Sequence, residues 1–244
     1  MNFKKSASWL ALATALTLSA TAANATPVVG TANLSLGQVA ISLNNINFNP
    51  DQNTVAFPVI PADNGTDGVF STNANANTGS FANASFGSIF APTFGSINDM
   101  NPGTFPVGTL TTVSKFLEFA AKPSWLFTGT YLIPGNAYPG SPYFVSEVGG
   151  DVFASFSVLG TICDTEGDGT CDATDDVTNF KLALSSQYAN TTFAALSNTL
   201  LTGGTLPNNT WSATMVAEVP EPTTVALLGL GLLGLAGLRR RKQA

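Results

Sequence analysis

Through the middle of the chain, apolar and polar positions alternate with a period of two. Val39, Ile41 and Leu43 are separated by Ala40 and Ser42; Val152, Ala154, Phe156 and Val158 alternate with small or polar neighbours that include Ser155 and Ser157; Phe180, Leu182 and Leu184 repeat the pattern. Successive side chains of a strand point to opposite faces, so this period predicts strands with one buried face. Further strands are expected over 54–60, 85–90, 114–119, 124–132, 143–148 and 210–219, bounded by turn signals such as Asn64-Gly65, Pro134-Gly135-Asn136 and Pro139-Gly140. One stretch departs from the rule: between Thr191 and Leu201 the apolar residues Phe193, Leu196 and Leu200 fall at helical spacing. With Asn190 or Thr191 as N-cap and Gly203 past the end, they predict a short amphipathic helix over one open end of the β structure. The run 63–79, with Asn73-Ala74-Asn75-Ala76-Asn77, reads as a mobile polar loop. These elements predict a mainly β fold: a single antiparallel β-sandwich or jelly-roll-like domain over 26–218 with one short helix.

The two ends of the chain read as processing segments. Lys4 and Lys5 precede an apolar run from Trp9 to Leu18, and Ala23-Asn24-Ala25 supplies a small-x-small pattern. Residues 1–25 are therefore expected to be a secretory signal peptide cut by signal peptidase before Thr26, within the cleavage set Ala23, Ala25 and Thr26. At the other end, residues 223–238 are 16 uncharged, Gly- and Leu-rich residues followed by Arg239, Arg240, Arg241 and Lys242. As a helix this run reaches about 24 Å, a marginal transmembrane span against roughly 30 Å of hydrocarbon. The basic stop at 239–242 extends it by snorkelling and holds the C-terminus in the cytoplasm.

Val219, Pro220, Glu221 and Pro222 stand immediately before that run. The order of motif, apolar helix and basic stop over 219–244 resembles the PEP-CTERM sorting signal of bacteria that make extracellular polysaccharide. The resemblance implies an exosortase that recognises 219–222 and removes the helix. It also implies a membrane-anchored precursor that becomes a cell-surface or extracellular protein. The same kind of tail is also labelled an ice-binding protein C-terminal domain, but the chain has no Thr-x-Thr repeat of the kind a flat ice-binding face would use.

Setting the processing segments aside changes the charge. Between 26 and 218 only Lys115, Lys122 and Lys181 face fourteen acidic residues, a net charge of −11. Such a surface repels phosphates, so no nucleic-acid partner is expected. The chain has no histidine, which removes Ser-His-Asp and Cys-His hydrolysis and the commonest zinc ligand. A carboxylate pair remains for glycoside chemistry, with Glu118 and Glu147 as the strand-flanked glutamates, but no spacing rule selects them. The expectation is a protein that is not an enzyme.

Six of the fourteen acids lie between Cys163 and Asp176. Asp164, Glu166, Asp168, Thr170, Asp172 and Asp175 fall at loop positions 1, 3, 5, 7, 9 and 12, with Gly169 at 6. This resembles the calcium loop of EF-hand, dockerin or thrombospondin type 3 repeats, which makes Ca²⁺ a candidate ligand. Position 3 is Glu, position 12 is Asp, and long flanking helices are missing, so a plain acidic hairpin stands beside the metal reading. Cys163 and Cys171 are the only cysteines, and export predicts that they pair.

Together these signals favour an exported, non-enzymatic cell-surface or extracellular-matrix protein, processed by an exosortase and associated with extracellular polysaccharide in a biofilm. The alternative is a carbohydrate-binding module presenting Trp125, Tyr131, Tyr138, Tyr143 or Trp211 to sugar rings. A glycan-active enzyme ranks behind both.

Overall fold

The computed structural model describes residues 27–43, 45–48, 67–101, 103–165, 167, 169–172, 175–206 and 209–218. Eleven strands form one antiparallel sheet: β1 (Gly30–Ile41), β2 (Ile46–Phe48), β3 (Asp67–Thr72), β4 (Gly87–Ser88), β5 (Ala91–Asn98), β6 (Leu117–Phe119), β7 (Trp125–Leu132), β8 (Phe144–Val148), β9 (Asp151–Asp164), β10 (Val177–Tyr188) and β11 (Asn209–Glu218). The order is β4-β5-β3-β1-β11-β10-β9-β7, with β2 on β1, β6 on β5 and β8 on β9. The stretch leading into β6 also reaches β7: Val113 pairs with Gly129, and the Phe116 N–H donates to Phe127 O at 2.9 Å. Through β6 and the residues before it, the β5 side of the sheet thus reaches β7, and the sheet curls around its core.

The alternation predicted from sequence is the alternation observed. In β10, Phe180, Leu182, Leu184 and Tyr188 face inward; in β9, Val152, Ala154, Phe156, Val158 and Ile162 do; in β11, Trp211, Ala213, Met215 and Ala217 do. Aromatic rings from strands distant in the sheet order meet inside. Phe70 lies 5.1 Å from Phe119 and 6.5 Å from Trp211, and Phe127 lies 5.2 Å from Phe119 and 5.9 Å from Phe180. Three of these rings sit over a glycine directly across a strand pair: Phe70 over Gly95, Phe180 over Gly160 and Trp211 over Gly37. A Cβ at any of the three would stand within 2.5 Å of the ring, so glycine is what allows the ring to lie flat on the neighbouring strand.

Several expected elements take a different form. Residues 85–90, expected as a strand, make a 3-10 turn (Ala84–Phe86), then β4, and end in a hairpin tip at Ile89-Phe90. Buried Phe86 and Gly87 at φ +76 break the extended run. Residues 114–119 become strand only from Leu117, because Lys115 adopts φ +55. From 67 onward, the expected loop 63–79 is β3 followed by a 3-10 turn (Ala74–Ala76) capped by the Asn73 side chain. Asn77 is buried there, accepting from Asn33 N–H at 2.8 Å and donating to Thr72 Oγ1 at 2.9 Å. The asparagine amides replace backbone partners, which is why a polar composition hides an ordered segment. The expected strand at 54–60 lies outside the described residues.

The predicted helix is present as α1 (Phe193–Leu201), one residue further on than its expected cap. Thr192 supplies the N-cap through Oγ1, which accepts from Ala195 N–H at 3.2 Å. Leu196 and Leu200 are buried against the sheet.

Candidate functional site

The β9–β10 connection carries the acidic loop. Cys163 and Cys171 form a disulfide with Cα atoms 6.0 Å apart, the pairing expected for the only two cysteines of an exported chain. The loop is tied to the start of β7. Asp164 accepts from Ser124 Oγ and from Trp125 Nε1, both at 2.9 Å, one on each carboxylate oxygen. Thr165, almost fully buried, gives its N–H and its hydroxyl to Ser124 O and accepts from Gly169 N–H at 3.3 Å. Asp175 Oδ2 accepts from Asp172 N–H at 2.7 Å.

Of the six residues expected to ligate calcium, Asp164, Thr170, Asp172 and Asp175 are described, whereas Glu166 and Asp168 lie outside the described residues. Among the described residues, no three carboxylates gather within 4.8 Å of one another. The one cluster of potential donors is Asp175 with the two joined sulfurs, which have no thiolate to offer. The described part of the loop is thus a hairpin clamped by its disulfide and by Asp164.

The opposite end of the sheet is organised by tyrosines. Tyr143 is fully buried, and its hydroxyl donates to Ser42 O at 2.8 Å, with Asn45 O at 3.3 Å; the Tyr138 hydroxyl donates to Leu43 O at 2.6 Å. Burial pushes all three tyrosines at this end up. Tyr143 lies well above the ordinary phenol range and Tyr188 is pushed up to about 12. Beside them a cleft of about 510 Å³ opens between Leu43, Ile46, Met100, Phe105, Leu132 and Leu201. Sequence reasoning missed it because its walls come from five separate segments, none of which carries a motif.

The expected sugar-stacking residues fare unequally. Trp125, Tyr143 and Trp211 are core residues, which removes them as a binding platform. Tyr131 and Tyr138 are partly exposed. Glu118 forms an exposed ion pair with Lys115 at 3.2 Å, while Glu147 accepts from Phe193 N–H at 3.2 Å at the start of α1. Each therefore has a local structural partner, and the two lie on separate strands, β6 and β8.

The cleavage set Ala23, Ala25 and Thr26, the sorting residues Val219, Pro220, Glu221 and Pro222, the apolar run 223–238 and the stop Arg239, Arg240, Arg241 and Lys242 lie outside the described residues. β11 ends at Glu218, immediately before them. Residues 218–242 match the family of the PEP-CTERM protein-sorting motif, so the chain carries that sorting signal. No curated protein and no solved structure matches the chain.

Proposed function

We propose that this is an exported, non-enzymatic protein of the cell surface or extracellular matrix, released from a membrane-anchored precursor by an exosortase and working beside secreted polysaccharide. The observation that carries this reading is the PEP-CTERM motif at 218–242, which starts where β11 stops. The cut then falls outside the folded sheet and leaves the domain whole. Signal peptidase acts at the other end, before Thr26.

Association with polysaccharide draws support from the outer face of the sheet. Ser155, Ser157, Thr161, Ser185, Ser212 and Thr214 alternate with the buried residues of β9, β10 and β11, interrupted by Lys181. Leu159, Val177 and Val216 share that face, so it offers rows of neutral hydroxyls beside exposed apolar side chains, and both can meet a glycan without the core aromatics. Intact-mass spectrometry of the native protein, from cells with and without their exosortase, tests the route. A precursor trimmed after 219–222 in the first and retaining residues 223–244 in the second is expected; identical masses would refute it. Co-sedimentation with the organism's own polysaccharide tests the matrix role.

A further inference from the structure

Both chain ends leave the sheet at one end. β1 begins and β11 finishes side by side, with Gly30 opposite Ala217, and Glu218 opposite Asn179 on β10. The β4–β5 hairpin lies at that same end. From Ser71, opposite Ser35, the chain runs back along β1: Thr78 N–H donates to Thr31 O and Ser80 N–H to Val29 O. Phe81 and Phe86 then pack on Trp125, where β7 starts. Thr93 stands opposite Thr72, so Ala91 and the two tip residues extend past it toward the start of β1. Those two residues are Ile89 and Phe90, 68% and 96% exposed. The neighbouring Phe81 and Phe86 are fully buried, whereas Phe90 is far more exposed than Phe144 or Phe193, the other exposed phenylalanines among the described residues.

We propose that this tip is a membrane contact: in the anchored precursor, Ile89 and Phe90 enter the interfacial layer of the lipid bilayer. The proposal rests on reading 219–244 as a sorting segment that anchors the precursor. Only residues 219–222 separate Glu218 from the apolar run, and four residues reach at most about 14 Å. The bilayer surface therefore lies close to the end of the sheet that carries the tip. An exposed aliphatic–aromatic pair at a hairpin apex suits that layer, where rings settle with their apolar faces in the acyl boundary. The charges at this end select the mode of contact. Asp172, Asp175, Asp176 and Glu218 outnumber Lys122, so anionic head groups are repelled and the attraction is apolar.

The test uses the full chain with Phe90→Cys, which places a single free thiol on the tip because Cys163 and Cys171 are joined. The thiol carries an NBD fluorophore. Val148→Cys, 64% exposed on the β8–β9 turn at the opposite end, is the reference. In phosphatidylcholine vesicles, flotation is expected together with blue-shifted emission at 90 that a nitroxide lipid quenches, while the label at 148 stays aqueous. Replacing a third of the lipid with phosphatidylglycerol is expected not to strengthen that signal. Flotation with both labels equally aqueous overturns the tip contact and leaves anchoring intact. Loss of flotation overturns the anchored state, and the tip contact with it.

Discussion

The two ends of this sheet are closed by different chemistry. At the end where the termini leave, rings do the work: Trp125 packs against Phe81, Phe86 and Phe127, and its indole N–H is held by Asp164 beside the disulfide. At the other end, phenol hydroxyls do it: Tyr138 and Tyr143 hold the carbonyls of Ser42, Leu43 and Asn45, and α1 covers the side. The first end resists through buried area and a covalent tie. The second depends on uncharged hydroxyls kept out of water beside an apolar cleft. The lesson is that one continuous core can have ends that yield to different conditions.

The sharpest way to break the first end is Trp125→Ala. It removes a ring contacted by three others and takes the indole donor from one Asp164 oxygen, so a loss of about 3–5 kcal/mol is expected. Chemical denaturation read by near-UV circular dichroism checks it; a loss below about 1 kcal/mol would show that the ring cluster is not what closes this end.

Alkali is expected to attack the second end. A phenol whose folded pKa lies above its unfolded value contributes stability that is complete below the unfolded value near 10. That stability is lost as pH rises through the folded value, about 12 for Tyr188. The shift at Tyr188 corresponds to roughly 2 to 3 kcal/mol, and Tyr143 adds in the same direction. Hydrogen exchange at high pH should show Ser42, Leu43, Asn45 and α1 opening before the β9–β10 hairpin; the reverse order would invert the comparison.

Reduction returns the pressure to the first end. Opening the disulfide is expected to cost roughly 2 to 3 kcal/mol for so short a loop and to leave the tyrosine end protected. Melting with and without reductant measures the size, and exchange measures the location. The smallest effect concerns calcium. Asp164 already has a donor on each oxygen, so millimolar Ca²⁺ is expected to leave the melting temperature of the oxidised protein unchanged. A rise of several degrees would place an ion in the loop and make this end metal-supported.

What was legible in the sequence was local. The period of two over β9 and β10, the spacing of Leu196 and Leu200, the pairing of the only two cysteines and the order of motif, apolar run and basic stop each declare themselves within a short window. The strands at 67–72 and 91–98 were not legible. Val69, Phe70, Phe94 and Ile97 stand there among small and polar residues without a regular period of two, and the strands are held by Asn77 amide bonds and by Phe70 lying over Gly95. Likewise, Trp125, Tyr143 and Trp211 have the composition of a binding platform and the location of a core.

The sequence by itself determined that the chain carries a sorting signal, that the body is acidic and β-rich, and that its chemistry excludes histidine, because these follow from residue identity and short-range periodicity. Tertiary structure alone decided that one sheet curls to meet itself, which aromatics lie inside, that Asp164 faces Trp125, and that Ile89 and Phe90 stand at the end from which the tail departs. Those depend on cross-strand register, which brings together residues far apart in the chain, as in the hydrogen bond from Thr214 to Asn33, 181 positions away. No local window of sequence contains both partners of such a contact.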